Sequence, residues 1–229
     1  MLSQSSNTNL LSGVIVSLTT HGESNLIIRC FSKEAGKFSC YVRGGLNSTK
    51  RFSGKLDFLD YRTFELDSSK KEGSYYLSAS AIIKHFSDLS TNIRKFEAAC
   101  FIAEVADKLI HEGDPGSIFL FDPFIEALES LQGASSVKEC LVISSSFLIK
   151  VLVHEGYDPI SMDVEDLKIY IPNNVDIDIY EIKVYLGRIF ENLDFNNSSK
   201  LVRYAALMLL IFSEHYLSVR FNSRSFITN

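Results

Sequence analysis

The strongest constraint on this chain is a change of hydrophobic period near residue 86. From Gly13 to about Phe86 the apolar residues alternate within short segments separated by turn residues. Beyond Ser90 they recur every three or four residues. Period two builds half-buried strands and period 3.6 builds helices. The chain is therefore expected to be α+β, with residues 1–86 as a small β domain and residues 87–229 as a helical one.

Within the first part, Gly13 to Thr19 places Val14, Val16 and Leu18 on one face. After the turn His21-Gly22-Glu23-Ser24, the next segment sets Leu26, Ile28 and Cys30 against Ile27, Arg29 and Phe31. A second turn, Lys33 to Gly36, leads to Phe38, Cys40 and Val42 facing one way, with Lys37, Ser39, Tyr41 and Arg43 facing the other. Gly44 to Gly54 reads as a mobile basic loop, and Leu56 to Leu66 and Tyr75 to Phe86 as two further strands. Five short strands in this span suit a closed barrel, and the OB-fold is the natural candidate.

In the second part, Phe96, Ala99, Ala103, Ala106 and Ile110 mark a helix behind the candidate N-caps Ser90 and Thr91. Asp114-Pro115 starts a second helix that runs to about Leu131, with an irregularity at Pro123. Ser135-Ser136 followed by Glu139 has the form of a capping box, and Gly156-Tyr157-Asp158-Pro159 stops the helix it opens. Ile160 to Asp178 is acidic and irregular. Helices at about Ile179–Leu193 and Ser199–Leu217 follow, parted by the cap-forming run Asn196 to Ser199.

Charge divides at the same place as period. Residues 1–85 carry 11 Lys/Arg and 7 Asp/Glu, while the remainder carries 12 and 21. Seven of the basic residues lie between Arg29 and Lys55, with Glu34 the one acid among them. An overall charge of −5 thus hides a basic β domain of the kind that meets phosphates. The longest apolar run, Tyr204 to Phe212, is far shorter than the ~20 residues a membrane helix needs. Met1 to Asn9 lacks the basic and apolar regions of a signal peptide, so a cytoplasmic location is expected. The four cysteines form no C-x-x-C pair, which argues against a zinc or redox site.

Catalytic signatures are absent: there is no G-x-x-x-x-G-K-[ST], G-x-S-x-G or H-E-x-x-H, and the five histidines are scattered. The basic barrel offers chemistry of another kind. Arg29, Phe31, Tyr41 and Arg43 are expected on its outer face, with Lys33, Lys37, Lys50, Arg51 and Lys55 in or beside the flanking loops. Cations neutralise backbone phosphates, and aromatic rings give unstacked bases a platform. These nine residues form the candidate nucleic-acid site. The competing reading is a non-catalytic scaffold, whose barrel binds protein and whose Phe31 and Tyr41 pack under a helix.

The same segments resemble the RecO family of bacterial recombination mediators. The resemblance is carried by Gly13-Val14-Ile15-Val16, His21 to Leu26, Phe31 to Phe38, Val42-Arg43-Gly44-Gly45, Arg51 to Leu56 and Phe64-Glu65-Leu66. Further on, Phe147 to Pro159 and Asn222 to Phe226 continue it in order. It implies an OB-fold followed by a helical domain, and binding of single- and double-stranded DNA with annealing of complementary strands. It also implies partnership with RecR and the single-stranded-DNA-binding protein, to load RecA, with no nucleotide hydrolysis. Two departures stand out. The segment where many members carry a zinc-binding cysteine set, Ile160 to Pro172, has no cysteine, so neither zinc nor any other cofactor is expected. Some relatives place arginines just before the Phe147 position, where the resemblance implies docking of the binding protein's acidic tail; here those positions are Ser145 and Ser146, and Lys150 is either a substitute contact or an ordinary helix-surface lysine.

Overall fold

The computed structural model describes residues 8–48, 50–68, 75–172 and 177–228. The chain divides into two compact units, one holding everything up to Phe86 together with His111–Phe121, the other Ser87–Ile110 and everything from Asp122. The return of residues 111–121 to the first unit is a feature that the hydrophobic period does not announce.

The first unit is a barrel of five strands: β1 (Thr8–His21), β2 (Asn25–Ser32), β3 (Gly36–Val42), β4 (Tyr61–Ser68) and β5 (Tyr75–Lys84). They close in the order β1-β2-β3-β5-β4, with β1 pairing both β2 and β4, and β3 running parallel to β5. This is the OB-fold arrangement. Leu26, Ile28 and Cys30 from β2 meet Phe38, Cys40 and Val42 from β3 in the interior, as alternation predicts. Strand β1 departs from its expected pattern. A bulge between Ile15 and Ser17 shifts the register, so Ile15 joins the inner cluster and Leu18 packs against it, while Val14 is buried opposite Phe31.

Two further expectations change. Leu56 to Asp60 is a loop and not the start of β4: Leu56 and Leu59 are buried, and Leu59 adopts φ 64°. Its N–H donates to Ile15 O at 2.9 Å, and Ile15 N–H donates to Asp60 O at 3.1 Å, so this loop clamps β1 at the bulge. Meanwhile His111–Phe121, with the 3-10 turn Pro115–Leu120, covers the outer side of β2 and β3. Gly36 permits that approach. It has φ 63°, and a Cβ there would sit 2.3 Å from Ser117 Oγ.

The second unit contains α1 (Ser87–Ser90), α2 (Ile93–Leu109), α3 (Phe121–Gly133), α4 (Val137–His154), α5 (Val164–Leu167), α6 (Ile179–Glu191), α7 (Ser199–Tyr216) and α8 (Ser225–Thr228). Helix α4 is apolar on most sides and packs against α2, α6 and α7. Asn92, rather than Ser90 or Thr91, caps α2 by accepting from the N–H groups of Arg94 and Lys95. The break near Pro123 falls earlier, where the 3-10 turn passes into α3, and Pro123 lies harmlessly in the first helical turn. Ser136 and Glu139 cap α4 as expected, although the Glu139 carboxylate reaches Ser135 N–H at 2.8 Å. At its end Gly156 N–H donates to Val153 O and Tyr157 N–H to Leu152 O, the pairing of a glycine-terminated helix.

The Asn222 to Phe226 motif serves as a lock in this unit. The Glu104 carboxylate accepts from Asn222 N–H at 2.7 Å and Ser223 N–H at 2.9 Å, while Phe101 packs on Phe221 and Phe226. Burial pushes the Glu104 carboxyl up, but the Lys108 ammonium and the Ser223 and Asn222 donors outweigh it and hold it below the usual carboxylate range.

Candidate nucleic-acid interface

The barrel's outer surface separates the nine candidate residues into two groups. Phe31 alternates with core residues as foreseen, but it is fully buried, its ring 5.6 Å from Phe121. Lys37, opposite Phe31 in the β2–β3 register, is 8% exposed, with its carbonyl bonded by Gly113 N–H. Residues 111–121 lie over both. Their assignment as a stacking ring and a funnel lysine is therefore corrected: Phe31 has no open face for a base, and the Lys37 stem is covered.

The remaining seven stay accessible. Arg29 is half-buried and donates to Ser17 Oγ at 3.0 Å, which holds its guanidinium across β1 and β2. Lys33, Arg43, Lys50, Arg51 and Lys55 are exposed. Glu34, the lone acid in the basic stretch, is held away by bonds from Ser12 N–H at 3.0 Å and Ser32 Oγ at 2.8 Å. Those donors keep its carboxyl below the usual range despite the opposing push of burial.

Tyr41 is half-buried against two other rings. Its ring meets His21 at 5.8 Å and Tyr76 at 5.9 Å, both edge-to-face. His21 is exposed and Tyr76 is 48% exposed, so three rings from β1, β3 and β5 form an aromatic surface open to solvent. Neither His21 nor Tyr76 was singled out from sequence. The adjacent Tyr75-Tyr76 pair on an alternating strand was the available signal, since one of two such neighbours must face outward.

The basic loop is anchored to the barrel at Phe52. Phe52 is fully buried in the barrel cluster, and the Arg51 guanidinium lies 4.4 Å from its ring centre while donating to Arg43 O. Beneath them lies Arg62, whose side chain is wholly buried. It pairs with Asp60 at 3.1 Å and donates to Phe52 O at 2.7 Å and Lys55 O at 3.3 Å. Asp60 also accepts from Asp57 N–H at 3.2 Å and bonds His85 Nδ1 at 2.8 Å. Arg62 shares period two with Phe64 and Leu66, so an inward-facing arginine was legible in the sequence and was missed. It fixes the loop from which Lys50, Arg51 and Lys55 project.

Elsewhere, Lys150 is half-buried and borders a cavity of about 230 Å³ with Phe147, Leu193 and Glu126. Ser145 and Ser146 turn into the bundle, and Ser146 Oγ donates to Ile189 O at 2.6 Å. Among thiols, burial and the neighbouring Cys40 push Cys30 well up, and burial with Glu104 and Glu97 pushes Cys100 up to about 11. Such groups stay protonated and are poor nucleophiles.

Comparison with known proteins agrees with these features. Residues 9–86 match the family model described as Recombination protein O N terminal, and residues 90–163 match Recombination protein O C terminal. The chain belongs to the RecO family. It is similar to the DNA repair protein RecO of Anaeromyxobacter dehalogenans, 27% identical over 124 residues, covering 54% of this chain and 48% of that protein. The RecO of Syntrophobacter fumaroxidans is 25% identical over 146 residues, covering 64% and 56% respectively. That of Shouchella clausii is 27% identical over 146 residues, covering 64% and 55%. The chain thus aligns with about half the length of these curated relatives. No helix among the described residues is long and apolar enough to cross a membrane.

Proposed function

We propose that this RecO-family chain is a non-catalytic DNA-binding protein of repair and recombination, which anneals complementary strands. The observation that carries the reading is the open His21–Tyr41–Tyr76 surface on a barrel whose exposed loop residues include Arg43, Lys50, Arg51 and Lys55. Rings accept unpaired bases and the cations neutralise two backbones, lowering the repulsion between strands that must meet. Because Arg62 holds the loop in place, its cations need little ordering when DNA binds.

In this reading, family membership extends the role to a mediator that works with RecR to load RecA on DNA coated by the single-stranded-DNA-binding protein. Lys150, beside the Phe147 cavity, is the proposed contact for that protein's acidic tail. The location proposed is the bacterial cytoplasm, at the nucleoid. The test is annealing of complementary oligonucleotides, bare and coated with the cognate binding protein, across a salt series. Acceleration that falls steeply with salt supports the proposal. Lack of annealing together with salt-insensitive DNA binding would favour a protein scaffold.

A further inference from the structure

The basic loop runs beside β5 as far as His85. Ser80 N–H donates to Arg51 O at 3.4 Å, Arg62 donates to Lys55 O at 3.3 Å and to Asp60, and Asp60 accepts from His85 Nδ1–H at 2.8 Å. Arg51 also donates to Arg43 O. Arg43, Arg51, Lys55 and His85 are thereby joined along the strand that starts at Tyr75-Tyr76. At ~3.3 Å per residue, β5 carries the chain about 30 Å from Tyr76 to His85.

The two partners differ sharply in exposure: the Asp60 side chain is 5% exposed and the His85 side chain 55%. A carboxylate only accepts, so Nδ1 carries its proton toward Asp60, and Nε2 is the ring nitrogen left for another partner. Unprotonated, Nε2 has nothing to offer a phosphate. Protonated, it is a second donor on a cation whose orientation is already fixed. Asp60 does not cancel that cation, because it is already paired with Arg62 at 3.1 Å, which leaves two positive charges against one negative. The other charged groups that bonding or chain position brings near are Lys84, whose ammonium lies 5.1 Å from the Phe86 ring centre, Asp57, whose N–H bonds Asp60, and Asp88, three residues on.

We propose, resting on the DNA-binding reading above, that His85 held by Asp60 is a proton-dependent phosphate contact that extends the DNA surface along β5. Protonated Nε2–H donates to a phosphate oxygen while Nδ1–H stays on Asp60, so the ring is oriented before DNA arrives. Arginine and lysine in the loop carry their charge throughout the physiological range. His85 adds a contact that is present only toward acid pH, and the number of phosphates neutralised changes with it.

The test is binding of a fluorescein-labelled oligothymidylate of about twenty nucleotides to the full chain, long enough at ~3.4 Å per phosphate to span the surface. Anisotropy is read across a salt series at about pH 6 and about pH 8, on either side of the ordinary histidine pKa of about 6.5. His21 also lies on the DNA surface, so the parent for the comparison is His21→Gln. Its slope of log affinity against log salt is expected to be steeper by about 0.7 at the lower pH, the effect of one more phosphate contact to a single strand. His85→Gln, which keeps an N–H for Asp60, is expected to abolish that difference. His85→Lys is expected to give the steeper slope at both pH values. Equal slopes in the parent, a difference that survives His85→Gln, or the shallower slope throughout for His85→Lys each overturn this contact alone. Salt-insensitive binding at both pH values overturns the DNA reading itself, and the contact with it.

Discussion

Replacing Arg62 by leucine removes a charged side chain that is wholly buried in the barrel and leaves its partners behind. Asp60 loses its ion pair at 3.1 Å, and the carbonyls of Phe52 and Lys55 lose donors at 2.7 and 3.3 Å. Breaking one side of a buried pair typically costs about 3–5 kcal/mol, because the other charge stays desolvated. Asp60 keeps His85 and the Asp57 N–H, which places the expected loss toward the lower end, about 3 kcal/mol. That is a large share of the ~5–15 kcal/mol that folded domains have in hand. Arg62→Lys restores a charge beside Asp60 but not the planar fork that reaches two carbonyls, so about half the loss should remain. The assay is urea unfolding followed by near-UV circular dichroism of the tyrosines, the chain having no tryptophan. At temperatures where Arg62→Leu stays folded, DNA binding should also weaken, because the loop bearing Lys50, Arg51 and Lys55 must then be ordered by the ligand. A loss of stability under about 1 kcal/mol would refute the view that Arg62 anchors this loop.

Tyr41→Ala and Tyr76→Ala should each weaken single-strand binding by about 1–3 kcal/mol and duplex binding much less, since paired bases are already stacked; titrations with both substrates check this. Phe31→Ala should instead lower stability by about 3–5 kcal/mol in denaturant unfolding, with no preference between substrates. Lys50→Ala should weaken single strands and duplex alike and reduce the salt slope by about one unit at most. Glu104 titrates below its ordinary value when folded, so its contribution is complete above the ordinary carboxylate pKa of about 4.3 and fades as pH falls through the lower folded value. Glu104→Gln should flatten that acid limb of the stability profile, read as unfolding midpoints at several pH values.

Local pattern made most of the architecture legible. Alternation in β2 and β3 identified the inward residues correctly, because each position there has one buried and one outer side. The helix ends at Glu139 and Gly156 were equally readable, since capping depends on neighbours three or four residues apart. The same logic failed at β1, where one extra residue at the bulge reverses every later side chain without changing composition. For the candidate site, the sequence placed a basic surface on the barrel but could not separate its open residues from its covered ones.

What the sequence determined by itself was therefore the kind of most elements, the OB-like barrel with helices after it, and a first unit rich in cations. These follow from periodicity, caps and charge, which act over a few residues. Only the tertiary structure decided which of those residues remain available. Residues 111–121 return to cover Phe31 and Lys37, Arg62 reaches carbonyls seven and ten positions away, and His21 and Tyr76 meet at Tyr41 from distant strands. Exposure is a property of what packs on a residue, and that partner is chosen by long-range burial, which leaves no local period in the chain.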